Sequence, residues 1–569
     1  MSNSSRTPRR RLAYAPLAVA ALTLLTGSGG SCSEERRPTT TPDPSDETVQ
    51  AAALPPPVLR VLLVTDLDGY LEPCGCTSRP LGGIDRMSAR VRALAAEGVP
   101  TVTVAAGNLF FHGAPHGADA ERAEVQERLR AETLTGILER VGLTAAVPGP
   151  LDFGYGTERF EALAQASSFP LLAQVERTHT PEGDEASAPE TDAFFVPSVT
   201  RQLGPLTVGI LGLAQLEGPD GTLPDGLSAG DGDLIAAGQR EADALREAGA
   251  DVVIALVTAD RRTARRIASR VEAVDVVVHG GVDEADVGPP SEIDAAALVS
   301  AGRQGQGLVV LDLWPEDGSD RWVDVSAWTR ESQRTHLTGQ ITSLETRIAE
   351  WETSGANASD LDAQRARLVE LRRERAGLLA APSFEGAQAF RARYEELPPE
   401  AGRDSAVTER MAALDVRVND HNREAFADWT PEPAAEGQPH YVGAEACSTC
   451  HTAAFRWWRG HNHGRAYATL EDQHKNYNLS CVGCHVTGYL QPGGSTVTHV
   501  ENLQDVGCET CHGPGSQHVS NPTGAEVNVA RDAPSRLCVR CHNEEHSDTF
   551  DYDSYRARLL VPGHGQPIQ

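Results

Sequence analysis

Residues 58–76 read VLRVLLVTDLDGYLEPCGC, and the architecture of the first half of the chain can be worked out from this stretch. The apolar run VLRVLLV (58–64) is typical of a strand that is buried on both faces of a sheet. Asp66 and Asp68 follow it directly, and Cys74 and Cys76 stand a few residues further on. Paired acids at a strand end suggest metal chemistry, whereas paired thiols suggest redox chemistry.

Similar apolar runs recur as far as residue 325, and amphipathic helical stretches such as IDRMSARVRALAAEG separate several of them. The other strand candidates are PTVTVAA (100–106), LTVGILGL (206–213), DVVIALV (251–257), VDVVVHG (274–280) and GLVVLDLW (307–314). Continuously apolar strands joined by helices predict a layered α/β fold for residues 58–325, with helices covering the sheet.

From residue 326 to 430 the pattern becomes helical, and two apolar seams with helical spacing are joined by the polar stretch TSGANAS. The seams are Leu337, Ile341, Leu344, Ile348 and Trp351, followed by Leu361, Leu368, Leu371 and Leu378. This pattern predicts an antiparallel helical hairpin with a connector. Residues 431–569 begin with a proline-rich linker and then show little periodicity, which predicts a mostly α-helical and irregular domain.

The first 31 residues have the basic, apolar and small-residue order of an export signal, and residues 32–57 are polar and proline-rich like a flexible tether. The sequence therefore predicts an exported, periplasmic protein. Cys32 is a candidate for lipidation, with simple signal cleavage as the alternative, so membrane contact is expected only through a lipid anchor. The net charge of −30 argues against nucleic acid as a partner. Lys475 is the only lysine.

Four C-x-x-C-H units lie in the C-terminal domain. Two thiols three residues apart can add to the two vinyl groups of a haem, and the next histidine can bind the iron. Zinc sites rarely place a histidine after every second cysteine, so the pattern predicts four c-type haems, electron transfer and periplasmic redox partner proteins. The units are Cys447, Cys450 and His451; Cys481, Cys484 and His485; Cys508, Cys511 and His512; and Cys538, Cys541 and His542.

The stretches YVGAEACSTCH, WWRGHNHGRAYATL, VGCETCHGPGSQH and LCVRCHNEEHSDTFDYDSY make residues 440–566 resemble the tetrahaem cytochrome c-554 family. The resemblance implies that His463, His518 and His564 are distal iron ligands. Three distal histidines for four haems leave one iron, expected to be that of CVGCH, five-coordinate. His474 and His499 are the alternatives that could fill its sixth position. His440, His461 and His546 are interpreted as surface or propionate-contacting histidines.

Residues 58–325 resemble the calcineurin-like metallophosphoesterases, in particular the exported 5′-nucleotidase type, because the motif stretches occur in the same order. Only Asp66 keeps a family ligand. Asp68, Asn108, Asp152 and Thr258 stand where other ligand types are usual, so the resemblance implies a degenerate domain without catalytic residues or a binuclear metal site. Any remaining non-haem metal would be a single hard ion on the three aspartates.

The leading interpretation is therefore an electron carrier with a non-catalytic docking domain, rather than an enzyme. One alternative is a haem enzyme that acts on a small nitrogen or oxygen species at an open iron. A second is an active nucleotidase or phosphoesterase fused to a cytochrome. Cys74 and Cys76 are expected to be a local disulfide or two buried thiols, with a redox pair as the functional alternative.

Overall fold

The computed structural model describes residues 54–567, except for 74–79, 112–119, 178–193, 219–220, 229–231, 282–290, 294–295, 317–321, 355–356, 380–383, 385, 524–528, 544–545 and 548. The predicted signal, Cys32, most of the tether, and the Cys74 and Cys76 pair lie outside the described residues. Among the described helices, none combines the length and the apolar character that a bilayer crossing requires.

The first part of the described chain alternates strands and helices. The strands are β1 (Leu59–Thr65), β2 (Thr101–Ala106), β3 (Leu143–Val147), β4 (Leu171–Leu172), β5 (Glu176–Arg177), β6 (Phe195–Val196), β7 (Ser198–Leu203), β8 (Leu206–Ala214), β9 (Leu227–Ser228), β10 (Val252–Thr258), β11 (Val276–Gly280), β12 (Ser291–Ile293), β13 (Ala296–Val299), β14 (Gly307–Trp314), β15 (Trp322–Asp324) and β16 (Gln388–Glu396). The helices are α1 (Ile84–Ala95), α2 (Ala120–Val141), α3 (Thr157–Ala166), α4 (Leu234–Glu247), α5 (Arg261–Arg270), α6 (Ala327–Ser354), α7 (Ala358–Gly377) and α8 (Ser405–Ala425).

Fourteen of these strands form two large sheets, in the orders β15-β16-β14-β1-β2-β3-β4-β6 and β12-β13-β11-β10-β8-β7, and β5 pairs with β9. Apolar side chains from both sheets join in one core, and α1, α2 and α8 contribute to it. Helices α4 and α5 cover the other face of the second sheet. The predicted layered α/β fold is confirmed, and each of the six predicted strands is present. The shorter strands, among them β4, β6 and β15, carry too few residues to show a periodicity.

The predicted helical hairpin is formed by α6 and α7. Ile341, Leu344, Ile348 and Leu371 are buried in its seam, as the spacing predicted. The sequence pattern did not reveal β16, which follows the hairpin and pairs antiparallel with β14, from Gly307 opposite Glu396 to Trp314 opposite Ala389. The chain therefore returns to the first sheet before α8, which packs against α1 and α2.

Beyond residue 440 the elements are short, as the weak periodicity predicted. They are α9 (Ala444–Ser448), α10 (Thr452–Gly460), α11 (Ala466–Glu471), α12 (Leu479–His485), α13 (Cys508–His512), α14 (Ser516–Ser520), α15 (Ser535–Cys538), α16 (Tyr552–Leu559), β17 (Val561–Pro562) and β18 (Gly565–Gln566). A small apolar core around Val482 is shared with the first part of the chain, since Ala123 of α2, and Phe426 and Trp429 after α8, pack against it.

Candidate functional site

The acidic residues of the opening stretch meet other polar side chains at one edge of the first sheet. Asp66 and Asp68 follow β1, Asn108 follows β2, and Asp152 lies in the short helical turn after β3. Because these three strands are parallel, their carboxyl ends lie at the same edge. Asp66 and Asp68 adopt positive φ angles of 46° and 51°, which non-glycine residues seldom do.

Most of the oxygen atoms at this edge accept hydrogen bonds from the backbone. Asp66 accepts from the Gly281 N–H at 2.8 and 2.9 Å. Asp152 accepts from the N–H groups of Leu109, Phe110 and Gly149 at 2.9, 2.7 and 3.0 Å. These carboxylates therefore fasten the loops at the strand ends to one another.

The neighbouring positions are engaged in the same way. Asn108 Oδ1 accepts from the Leu151 N–H at 3.0 Å, and Thr258 Oγ1 accepts from the Gly107 N–H at 2.9 Å. His279 Nε2 lies 2.9 Å from the carbonyl oxygen of Ala259. A carbonyl can only accept, so this ring nitrogen carries the hydrogen and does not offer a lone pair to a metal.

Asp68 differs from the other acids. It forms an ion pair with Arg303 at 3.2 Å, and burial raises its pKa to about 6 despite that pair. Its Oδ1 has no hydrogen-bond partner among the described residues. Within that part of the chain, no three histidine, cysteine or acidic side chains are grouped so that they could hold a metal ion. The expectation of a single ion on the three aspartates therefore gains no support.

The four C-x-x-C-H units lie on or beside short helices, which place the two thiols of a unit one turn apart. Cys450 is exposed, and the other seven cysteines of the four units are partly exposed. Helical hydrogen bonds continue into the histidine, as from His451 N to Cys447 O at 2.9 Å and from His542 N to Cys538 O at 2.8 Å. Both thiols and the imidazole of a unit are therefore held by the same turn.

The structure brings each of the three candidate distal histidines to a different C-x-x-C-H histidine. The ring centres of His451 and His518 are 6.2 Å apart. Those of His542 and His463 are 6.1 Å apart, as are those of His512 and His564.

This spacing fits one iron between two imidazoles. A ring nitrogen lies about 2 Å from a metal that it binds, and the ring centre lies roughly 1 Å beyond it, so opposed ligands place their ring centres about 6 Å apart. The three pairs have this separation, and their donor type suits a c-type haem.

Hydrogen bonds orient several of these rings. The Nδ1 atoms of His485, His512 and His564 each lie 2.6 Å from a backbone carbonyl oxygen, of Ala466, Ala530 and Leu559 respectively. Since carbonyl oxygens only accept, Nδ1 carries the hydrogen, and the Nε2 lone pair is left for a metal.

His463 is held neutral by its surroundings. Burial, with smaller contributions from His461 and His542, lowers its pKa to about 4. A neutral imidazole is the form that binds iron.

His485 is the exception among the four C-x-x-C-H histidines. Among the described residues, no second imidazole ring faces it. His499 instead places Nδ1 3.2 and 3.5 Å from the hydroxyl groups of Thr498 and Thr496. His474, with a φ of 55°, lies in the turn after α11. Neither alternative ligand is therefore brought to His485.

The thiols of different units are neighbours. Cys447 interacts with Cys508, and Cys484 with Cys541. Cys511 acts electrostatically on Cys538. The contacts order the four units as first, third, fourth and second, with the second unit at one end of the series.

The second unit also contacts the α/β part of the chain. Gln126 of α2 accepts a hydrogen bond from the Leu479 N–H at 3.1 Å and donates to Ser480 Oγ at 3.1 Å. Asn422 of α8 donates to the Gln126 side chain at 2.9 Å and to the Tyr477 carbonyl at 2.8 Å. Sequence reasoning did not identify these residues, because a glutamine or asparagine in a helix does not reveal that it is buried.

The fold and the site together define a chain with a layered α/β part and a C-terminal region with the thiol and imidazole arrangement of a c-type cytochrome. Residues 446–513 match the family described as cytochrome c554 and c-prime. The chain is 37% identical over 91 residues to cytochrome c-554 of Nitrosomonas europaea. The match covers 13% of this chain and 39% of that protein. The predicted resemblance of the C-terminal region is confirmed, over about two fifths of the relative's length.

Solved structures that are similar to this one are named as nucleotidases and phosphoesterases, the class that the first part of the chain was predicted to resemble. A 5′-nucleotidase precursor from Thermus thermophilus has a TM-score of 0.43 and 15% identity, covering 78% of this chain and 73% of that one. The calcineurin-like phosphoesterase YfkN from Bacillus subtilis has a TM-score of 0.36 and 19% identity, covering 47% and 88%. The NAD nucleotidase of Haemophilus influenzae has a TM-score of 0.37 and 17% identity, covering 45% and 47%.

Proposed function

We propose that this protein is an exported c-type cytochrome that passes electrons through four covalently bound haems. The observation that carries the proposal is the set of three imidazole pairs, whose ring centres lie 6.1–6.2 Å apart. When bound, a haem supplies reversible one-electron chemistry at its iron. The eight cysteines hold the haems through thioether bonds, the four adjacent histidines are the proximal ligands, and His463, His518 and His564 are the distal ligands.

The series of neighbouring thiols supports transfer along the chain of units, with periplasmic redox proteins as donor and acceptor. The proposed export rests on the signal-like first 31 residues. The proposed attachment to a membrane through a lipid rests on Cys32. Intact-mass measurement of the exported protein tests the haem number. The mass should exceed that of the polypeptide by four haems, and Cys481→Ala together with Cys484→Ala should remove one. A protein with fewer than four haems contradicts the proposal.

A second candidate function is reaction with a small nitrogen or oxygen species at one iron. One observation favours it, namely that no described imidazole faces His485. An iron with one protein ligand leaves a position for an exogenous molecule. Carbon monoxide added to the reduced protein should then bind one haem of the four. If it binds none, this function is excluded.

We infer that the α/β part does not cleave phosphate esters and serves as a docking module. Asp66, Asp152, Asn108 and Thr258 use their oxygen atoms to accept backbone N–H groups, and His279 donates to a carbonyl. Two divalent ions need more charge and more free donors than this set supplies. The full-length protein with added Mn²⁺ should hydrolyse a nucleoside monophosphate no faster than the buffer blank, and metal-dependent turnover would contradict the inference.

A further inference from the structure

The only lysine of the chain lies at the contact between the α/β part and the second C-x-x-C-H unit. Lys475 is buried, with 8% of its surface exposed. Its ammonium group pairs with Glu72, which follows β1, and lies 3.7 Å from Asp415 of α8. Two elements of the α/β part therefore hold a cation that belongs to the segment leading into α12.

These charges lie near one haem-attachment cysteine. Cys481 is partly buried, and Lys475, Glu72, Arg130 and Asp415 all act on its thiol electrostatically. We call Lys475, Glu72, Arg130 and Asp415 the interface charge cluster. Arg130 belongs to α2, so three separate elements of the α/β part, the loop after β1 and helices α2 and α8, contribute to the cluster.

The backbone beside the cluster is fixed from the same side. Asn419 of α8 accepts a hydrogen bond from the Tyr477 N–H at 2.9 Å, and Gln126 accepts one from the Leu479 N–H. Val482, which follows Cys481, is fully buried in the core that Phe426 shares. Hydrogen bonds and apolar packing from the α/β part therefore fix the segment that follows Lys475.

We propose that the α/β part forms one wall of the second haem site, and that the buried charge of Lys475 raises the reduction potential of the haem attached there. This proposal rests on the proposed function and names what the docking module does. Reduction adds an electron, so a nearby cation stabilises the reduced form. The interaction is strong because the group lies in a poorly solvated place. Glu72 and Asp415 oppose it, so their removal shifts the potential in the other direction.

Spectroelectrochemical titration of the full-length, haem-loaded protein tests the proposal. Lys475→Gln should lower the midpoint potential of one haem out of four, and Glu72→Gln should raise that of the same haem. Lys475→Arg keeps the charge and should restore the potential of the unaltered protein. Arg423→Gln, an exposed change of the same charge on α8, is the matched control and should shift no haem.

The proposal is overturned if Lys475→Gln and Glu72→Gln leave all four potentials where the Arg423→Gln control has them. It is also overturned if both variants shift the potential in the same direction. If Lys475→Gln does not fold, the upward shift in Glu72→Gln still tests the proposal, because Glu72 is 44% exposed and its loss disturbs packing little. If all four haems are present and their potentials are unaltered, only the proposed influence of the α/β part on the second haem is refuted. If haems are missing, the proposed function is refuted.

Discussion

Gln126→Ala tests whether the α/β part and the second unit fold as one body. Gln126 is 2% exposed, and its side-chain oxygen accepts from the Leu479 N–H and from Asn422 Nδ2 at 3.1 and 2.9 Å. Truncation of Gln126 leaves both donors without an acceptor. A buried donor without a partner costs about 1–3 kcal/mol, and water that enters the vacated space recovers part of this cost, so we expect a loss of roughly 2–4 kcal/mol.

The assay is denaturant unfolding of the haem-loaded protein, followed both by Soret absorbance and by far-ultraviolet circular dichroism. Both signals should report the loss of stability, because one donor without an acceptor lies in the C-terminal region and the other lies in α8. Gln165→Ala is the matched control, since among the described residues that exposed side chain bonds only to Glu161, one helical turn away, at 3.3 Å. We expect it to cost less than about 0.5 kcal/mol. Equal effects of the two substitutions would refute the reasoning.

Three further substitutions test other parts of the structure. His518→Ala should turn one haem from low spin to high spin in the EPR spectrum, and an unchanged spectrum would exclude His518 as a ligand. Arg140 holds the pKa of Asp404 at about 2. The stability that this ion pair provides is complete above pH ~4 and is lost as the pH falls toward 2. Asp404→Asn should therefore remove about 2 kcal/mol of stability at neutral pH and make stability depend less steeply on pH in acid. An equally steep acid limb in the variant would contradict this. Gly280→Ala would place a Cβ 2.3 Å from the backbone of Ala106 and should lower the unfolding midpoint. Gly339→Ala, in open space on α6, is the control and should not lower it. Equal midpoints for the two variants would contradict the close approach of the two sheets.

The parts of the structure that could be predicted are those encoded locally. β1, β10 and β14 are predominantly apolar runs, a composition that favours burial, and the seam of α6 repeats within one helix. The C-x-x-C-H units are equally local, because the thiols and the proximal imidazole are adjacent in sequence. Each of these features can be identified without knowing what lies opposite it.

What could not be predicted depends on long-range contacts. The resemblance implies that His518 is a distal ligand, but nothing in the sequence shows that it faces His451. Strand β16 looks like part of a connector until it is placed beside β14. Lys475 stands out by being the only lysine, yet nothing near it in sequence indicates that Glu72 lies against it. Such contacts depend on how distant segments of the chain pack together. The periodicity of short, irregular elements does not encode this packing.

The most direct test of the central claim is quantitative EPR of the oxidised, full-length protein, with the spin states counted against the haem content of the same sample. The account predicts four haems, of which three are low-spin with two imidazole ligands each and one is high-spin. Four low-spin haems would show that the iron beside His485 has a sixth ligand. Fewer than three low-spin haems would contradict the assignment of the histidine pairs.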